Sequence, residues 1–158
     1  MYVACSSLCF ARYPLAQALH TIGEFRFHKV DLALHEAGTH LKPSEILAEP
    51  TRIVTVLRKA NLAFAAFHVE IETPDFEQYK STLRAVCRLG RLLAVPLVNI
   101  SASPLESDWE SEVQRLAALN RVAEGEGTML TVETHSKTLT ADPTKAAELC
   151  KRVPGLGL

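Results

Sequence analysis

Short apolar runs alternate with longer amphipathic segments along nearly the whole sequence, and this alternation limits the possible folds more than any other feature. The apolar runs occupy residues 2–6, 29–34, 62–71, 96–101 and 129–135, and a sixth begins at 155–158. Successive runs start about 27–34 residues apart, the length of one strand and one crossover helix. Because no Asn-Gly hairpin signal separates them, we expect parallel strands joined by helices.

The segments between the apolar runs carry signals for helix starts. Pro50 and Pro143 each stand where a first helical turn would begin, a position that suits the fixed φ of proline. Ser107 or Asp108 is the predicted cap of the fourth helix, and Asp142 that of the fifth. Together with the apolar runs, these signals predict five βα units.

Two architectures accommodate five βα units, an open doubly wound sheet and part of a (β/α)₈ TIM barrel. The sequence ends with a predicted helix stop at 152–154 and the start of a strand at 155–158. A complete barrel has about 250 residues, whereas this chain has 158. We therefore expect residues 1–158 to form a single α/β domain. It would be a partial TIM barrel of about five βα units plus the start of strand six, truncated at its C-terminal side.

Charge and composition exclude several classes of partner. Lys and Arg number 17 against 18 Asp and Glu, for a net charge of -1, which argues against a nucleic-acid surface or a polybasic membrane anchor. No apolar run approaches the length of about 20 residues that spans a bilayer. The four cysteines form no CxxC pair, and the N-terminus lacks a charged leader. We expect a cytoplasmic protein, and assembly into a homo-oligomer stays open.

The end of the fifth apolar run carries the strongest candidate site. Side chains alternate along a strand, so Glu133 and His135 share a face with Thr131 and point into the barrel. A buried carboxylate without a partner costs several kcal/mol, so a metal or a cationic group is expected beside Glu133. A neighbouring Lys or Arg would satisfy the same requirement.

Polar residues near the ends of the other predicted strands are weaker candidates. His68 ends the third strand and could be a ligand, a substrate contact or a core residue. Asn99, inside the fourth, suits a hydrogen bond to a hydroxyl of a bound polyol, or to loop backbone. Glu36 and His40 follow the second strand on the expected active face, although charges in loops are usually only solvated.

The order of these motifs resembles the xylose isomerase-like TIM barrels, which include sugar phosphate isomerases/epimerases and the abasic-site endonucleases (AP endonuclease family 2). The string Val132–His135, followed by Leu139-Thr140 and Asp142-Pro143, is similar to strand five and its loop in that family. A serine pair ends the first strand, and the segments at 22–25 and 30–32 also match in order and spacing.

The resemblance implies a divalent metal site, for Mn, Mg, Co or Zn, at the carboxyl ends of the strands. Glu133 maps to a metal ligand that also takes part in proton transfer in some members, and His135 maps to a substrate-facing position. His68 corresponds to a metal-binding histidine of the endonuclease branch. The remaining ligands of the family, on strands six to eight, have no counterpart in residues 1–158.

The function that the resemblance implies is that of a metal-dependent sugar or sugar-phosphate isomerase or epimerase. Its substrate would be a small sugar or polyol, and 158 residues alone would be inactive. One alternative is a metal-dependent phosphodiester hydrolase of the abasic-site type, which the net charge of -1 disfavours. The other is a non-catalytic, five-stranded α/β binding module.

Overall fold

A computed structural model describes residues 3–158, so Met1 and Tyr2, and with Tyr2 the start of the predicted first strand, lie outside the described residues. Five strands alternate with helices: β1 (Cys5–Ser6), β2 (Lys29–His35), β3 (Ala63–Glu70), β4 (Leu97–Ser101) and β5 (Met129–Glu133). They form one sheet in the order β1-β2-β3-β4-β5, and each neighbouring pair is parallel. The parallel βα architecture is therefore confirmed.

The helices follow the strands in chain order: α1 (Leu15–Glu24), α2 (Pro43–Ala48), α3 (Pro50–Lys59), α4 (Phe76–Leu92), α5 (Trp109–Glu126) and α6 (Pro143–Arg152), with short 3₁₀-helices at Ser7–Phe10 and Leu139–Ala141. Asp108 and Asp142 cap α5 and α6 through hydrogen bonds from the amides of Ser111 and Thr144. Within residues 3–158, no helix has the length and apolar character of a membrane span.

The short helix α2 was not predicted from the sequence. It starts at Pro43, and the carboxylate of Glu45 accepts a hydrogen bond from the amide of Lys42 at 3.4 Å. This is half of a capping box. The six residues of α2 are too few to show a helical repeat of apolar positions, so periodicity alone could not reveal it.

The core lies between the sheet and the helices. One face of the sheet is inaccessible to solvent along its central strands, through Leu32, Leu34, Phe67, Val69, Val98, Ile100, Leu130 and Val132. The helices cover this face with their own buried side chains, which include Leu57, Leu83, Val86, Leu116 and Leu119. The other face, which would line the inside of a barrel, is called the lumen face below. It carries the polar residues of the strands.

The last residues of the chain pair with the edge of β5. The amide of Val132 donates to the carbonyl of Gly157 at 3.0 Å, and the amide of Gly157 donates to the carbonyl of Leu130 at 2.9 Å. The bridge is parallel and centred on Thr131. The predicted start of a sixth strand is therefore confirmed, and it adds to the sheet on the side expected for a barrel.

A buried ion pair holds the carboxyl end of β4 against α5. Arg115 donates to the carboxylate of Glu112 at 2.7 Å and to the carbonyl of Ser101 at 3.2 Å. The amide of Ser103 donates to the same carboxylate at 3.0 Å. Glu112 is only 2% exposed. Because the pair joins helix, strand and loop, it fixes the position at which β4 ends.

Substitution of Gly157 should detach the sixth strand. A Cβ at this position would lie 2.9 Å from the terminal methyl of Met129 and 3.0 Å from the methyl of Thr131, so Gly157→Val crowds both side chains of β5. We predict that the amide of Val132 then exchanges with deuterium about tenfold faster, because it loses its partner. Gly125→Ala, where a Cβ meets nothing within 4 Å, is the control. Unchanged exchange in Gly157→Val would contradict the pairing.

Loss of the Glu112 carboxylate should destabilise the protein at neutral pH. Burial alone would raise the pKa of Glu112, but the hydrogen bonds from Arg115 and Ser103 outweigh it and bring the pKa below its ordinary value of 4.5. We predict that Glu112→Gln lowers the free energy of unfolding by about 3 kcal/mol, since it leaves Arg115 without its partner.

The pH dependence follows from the direction of that shift. A carboxyl group with a lowered pKa stabilises the folded state fully above its unfolded pKa and loses this effect as the pH falls through the folded one. The difference between wild type and Glu112→Gln in urea unfolding should therefore shrink below about pH 4.5. Glu110→Gln, which removes an exposed partner of Arg152, is the matched control and should change stability little.

Candidate functional site

Five titratable side chains meet on the lumen face near the carboxyl ends of the strands, and we call them the lumen cluster: Asp31, His35, His68, Glu70 and Glu133. They come from β2, β3 and β5, and each alternates with a buried residue that faces the helices. The parallel register sets His35 beside Glu70 and Ala33 beside His68. Alternation and register together therefore bring charged groups that are distant in sequence to one end of the sheet.

The contacts within the lumen cluster are close but too long for good hydrogen bonds. Nδ1 of His35 lies 3.4 Å from Oε2 of Glu70, and Nε2 of His68 lies 3.5 Å from Oε2 of Glu133. The two imidazole rings are neighbours, with centroids 5.1 Å apart. A direct N–H···O bond would span about 2.7–3.2 Å. The imidazole nitrogens and carboxylate oxygens thus lie close together, but they do not form direct hydrogen bonds of normal length with one another.

Burial shifts two groups of the lumen cluster in opposite directions. It raises the pKa of Asp31 above its ordinary value, and the negative charge of Glu133 adds to this effect, while His68 and His35 oppose it. Burial lowers the pKa of His35, and the positive charge that His68 can carry adds to that effect against the opposing carboxylate of Glu70. The neutral imidazole of His35 is therefore favoured at neutral pH, and this is the form that binds metal ions.

Glu133 lies on the lumen face, as its place in the alternation predicts. Its side chain is 38% exposed, while the adjacent Val132 is fully buried on the helix side. The hydroxyl of Thr140 donates to the carbonyl of Glu133 at 2.7 Å, and Ser101 is its partner on β4. The carboxylate is thus held at the very end of β5 and faces His68, where it is open to a ligand.

Asn99 also lies on the lumen face, in the middle of the sheet. It pairs with His68 on one side and with Thr131 on the other. The hydroxyl of Thr131 donates to Oδ1 of Asn99 at 3.0 Å. The side chain therefore contacts a neighbouring strand rather than loop backbone, which was the alternative left open by the sequence.

The position of His135 corrects the predicted end of the fifth strand. β5 ends at Glu133, not at His135, which is exposed in the turn that follows. The amide of Lys137 donates to Nδ1 of His135 at 3.2 Å, and the amide of Thr138 donates to its carbonyl at 3.1 Å. These local bonds turn the chain away from the sheet, so the alternation that governs Glu133 does not extend to His135.

Glu36 and His40 lie in the connection that follows β2, and their direct contacts are with other parts of the fold. Glu36 accepts hydrogen bonds from the amide and hydroxyl of Ser44 at the start of α2. Nε2 of His40 lies 3.2 Å from the carbonyl of Phe10. Both therefore tie the β2–α2 loop to neighbouring segments. His35, the last residue of β2, precedes this loop and belongs to the lumen cluster.

The sequence-based candidates did not include Asp31, His35 and Glu70. The apolar pair Leu32 and Leu34 alternates with Asp31 and His35, and this pattern places both on the lumen face. Glu70 shares its face with His68 by the same rule. The alternation of side chains along each strand therefore indicated that these three residues share the lumen face. Charged residues near a strand end also occur without a functional role, so the alternation alone did not identify them as site residues.

A cleft of about 530 Å³ opens at the carboxyl ends of β3 and β4. Glu70 and Ser101 line it on the sheet side, and Tyr79 and Arg115 line it on the helix side. Among the residues of the lumen cluster, Glu70 lines this cleft. The cleft volume falls within the range of about 300 to 1,000 Å³ that is typical of ligand pockets.

Comparison of the whole fold with solved structures finds TIM barrels. A xylose isomerase-like TIM barrel protein from Mycobacterium smegmatis, in complex with magnesium, is 18% identical with a TM-score of 0.76, and the match covers 99% of this chain and 63% of that one. The probable 3-DHS dehydratase AsbF from Bacillus anthracis is 18% identical with a TM-score of 0.73, covering 99% and 61%.

A third similar structure is the D-psicose 3-epimerase of Clostridium cellulolyticum with D-tagatose, which is 12% identical with a TM-score of 0.66 over 99% of this chain and 62% of that one. No protein-family model matches the sequence, and no curated protein does. The chain therefore has the fold of part of a TIM barrel, and it spans about three fifths of the length of these proteins.

Removal of the charge at Asp31 should stabilise the protein in the absence of metal. Burial raises the pKa of Asp31, so the ionised group weakens the fold at neutral pH. We predict that Asp31→Asn raises the free energy of unfolding of chelator-treated protein by less than about 1 kcal/mol, because water still screens the partly exposed group. Urea titration measures this gain.

The gain in the free energy of unfolding should disappear as the pH falls through the raised pKa of Asp31. The wild-type carboxylate is then protonated, so it carries no charge that the substitution could remove. Glu24→Gln, at an exposed carboxylate on α1, is the control and should show no comparable gain. A loss of stability in Asp31→Asn at neutral pH would contradict the assignment of a desolvated carboxylate.

Proposed function

We propose that residues 1–158 form one domain, the N-terminal part of a barrel, in a divalent-metal-dependent sugar or sugar-phosphate isomerase or epimerase. The observation that carries the proposal is the carboxylate of Glu133 at the end of β5, which faces His68 on the lumen face. In barrels of parallel strands, ligands bind at these carboxyl ends. The similar structures include one in complex with magnesium and an epimerase with a bound ketose.

The residues present suit a divalent ion. Glu133 offers an ionisable carboxylate, and His68 offers an imidazole nitrogen 3.5 Å away. Oxygen and nitrogen donors of this kind bind Mg, Mn, Co and Zn ions. When bound, such an ion would stabilise negative charge that develops on a carbonyl or enediolate oxygen. The further ligands would come from parts of the whole protein other than these strands.

The remaining lumen-face residues would bind and orient the substrate. Asn99 is anchored by Thr131, so its amide has a fixed direction from which to bond a sugar hydroxyl. His68 is the partner of Asn99 on β3, and its Nε2 lies 3.5 Å from Oε2 of Glu133, where it would fix the carboxylate. His135, on the exposed turn after β5, would contact the sugar from the loop side. Glu36 and His40 would shape the site by holding the β2–α2 loop.

The alternative of a phosphodiester hydrolase also has one supporting observation. His68 lies beside Glu133, as expected if a histidine of the third strand shares a metal with the carboxylate of the fifth. The net charge of -1 disfavours it, because nucleic-acid binding depends on an excess of positive charge.

The test is exchange of substrate hydrogen with solvent by the complete protein. We predict that a panel of ketoses and their phosphates incorporates deuterium from D₂O in the presence of Mg²⁺ or Mn²⁺, and that chelation abolishes it. Glu133→Gln should lower the rate about 100-fold or more, the scale expected when charge stabilisation is lost. Glu110→Gln, exposed on α5, should leave it unchanged.

Two outcomes would contradict this function. Full activity in Glu133→Gln would remove the carboxylate from the mechanism. Cleavage of abasic-site DNA without hydrogen exchange in any sugar would favour the hydrolase instead.

A further inference from the structure

We propose that a groove between α4 and α5 binds a small molecule that carries two or more phosphate groups. Lys80 and Arg84 of α4 and Arg121 of α5 line this groove, which has a volume of about 340 Å³ and is called the basic groove below. It lies on the helix side of the sheet, and no residue of the lumen cluster lines it. The proposal therefore concerns a separate surface of the protein and does not rest on the proposed function.

The spacing and the size of the lining residues shape the basic groove. Lys80, Arg84 and Arg88 follow one another at intervals of four residues on α4, so they share one face of the helix. On α5, Ala118 and Gly125 line the groove, and a Cβ added at Gly125 would meet nothing within 4 Å. Small residues on α5 thus leave open space beside the basic face of α4, and its volume lies in the range of about 300 to 1,000 Å³ that is typical of ligand pockets.

Two arginines of the basic groove, Arg84 and Arg121, have no carboxylate at ion-pair distance among residues 3–158. Glu124, three residues after Arg121 on α5, instead accepts a hydrogen bond from the side-chain amide of Asn120 at 2.9 Å. Both arginines are exposed to solvent. Their guanidinium groups, one on each wall of the groove, are therefore available to a ligand.

Glu126, the carboxylate that lines the basic groove, is already neutralised by neighbouring arginines. Arg88 donates to one of its oxygens at 2.9 Å, and Arg91 lies 3.4 Å from the other. The hydrogen bond from Arg88 and the charges of Arg88, Arg91 and Arg84 hold the pKa of Glu126 below its ordinary value. The carboxylate thus anchors two guanidinium groups at the edge of the groove and does not cancel the charge of Arg121.

The basic groove and its edges carry an excess of positive charge, although the whole chain has a net charge of -1. Five cationic side chains face two carboxylates: Lys80, Arg84, Arg88, Arg91 and Arg121 against Glu77 and Glu126. A cleft lined by charges of one sign raises the local concentration of ligands of the opposite sign. The groove therefore favours a compact ligand with several negative charges.

The guanidinium groups select phosphate among such ligands. Arginine presents a planar fork of N–H donors that binds phosphate oxygens in pairs. Because Arg84 and Arg121 stand on opposite walls, two joined phosphate groups can bind both of them at once. The residues that line the groove include no aromatic side chain, so a nucleobase has no ring to stack on and the phosphates should determine the affinity.

Calorimetric titration of the protein with sodium tripolyphosphate in the presence of EDTA tests the proposal. EDTA removes divalent ions, so the ligand cannot bind through a metal on the lumen face. We expect one equivalent bound per chain at low ionic strength. The affinity should fall steeply between about 50 and 500 mM salt, because salt screens exposed charges.

Substitution of the two unpaired arginines locates the site. Arg84→Gln and Arg121→Gln should each weaken binding about tenfold, since each removes charge-assisted hydrogen bonds to phosphate. Arg12→Gln, at an exposed arginine in the turn before α1, makes the same change of charge elsewhere and should bind as wild type does. All three positions are exposed, so the variants should fold.

Further ligands identify the source of the phosphates and the outcomes that would overturn the proposal. ATP should bind as tightly as tripolyphosphate, and tighter binding of ATP that depends on Arg84 and Arg121 would identify a nucleotide as the ligand. No saturable binding of tripolyphosphate, or an equal loss of affinity in Arg12→Gln, would overturn the proposal. Tighter binding of an oligoglutamate peptide than of tripolyphosphate would also overturn it and assign the groove to an acidic protein segment.

Discussion

The register of the parallel strands is the constraint on which the rest of the structure depends. Leu34, Val69 and Val132 are buried beneath the helices, and their neighbours His35, Glu70 and Glu133 are therefore turned to the lumen face. A slip of one residue would exchange the two sets, burying charge and exposing apolar surface. Each fully buried aliphatic side chain contributes about 1.5–3 kcal/mol. The hydrophobic core thus fixes where the charged residues lie.

This arrangement lowers the stability of the fold at the lumen cluster. Asp31 and His35 are partly withdrawn from water, and both pKa values shift toward the neutral forms. Contacts of 3.4 and 3.5 Å bring the ligand atoms of the lumen cluster together without completing their hydrogen bonds. By contrast, the pair of Glu112 and Arg115 is fully hydrogen-bonded. We propose that the unsatisfied groups of the lumen cluster bind a ligand, whereas the hydrogen-bonded pair of Glu112 and Arg115 has a structural role.

Much of this arrangement could be predicted from the sequence, because a period of two dictates which side chains share a face. That rule placed Glu133, Asn99 and His68 on the lumen face. The spacing of apolar runs predicted the parallel sheet and the start of a sixth strand, which is seen as the bridge between Thr131 and Gly157. It failed at His135, where local hydrogen bonds end the strand two residues early. Distances between strands depend on three-dimensional packing, so the pairing of His35 with Glu70 could not be predicted.

The central claim is that the carboxyl ends of β2, β3 and β5 converge on the lumen face to bind divalent cations. Anomalous diffraction at the zinc edge, from crystals of the chain grown with Zn²⁺, tests it most directly. The account predicts a peak within bonding distance, about 2.0–2.2 Å, of the Glu133 carboxylate and His68 on the lumen face. Zinc bound only at surface residues, or a Glu133 side chain packed among the helices, would contradict it.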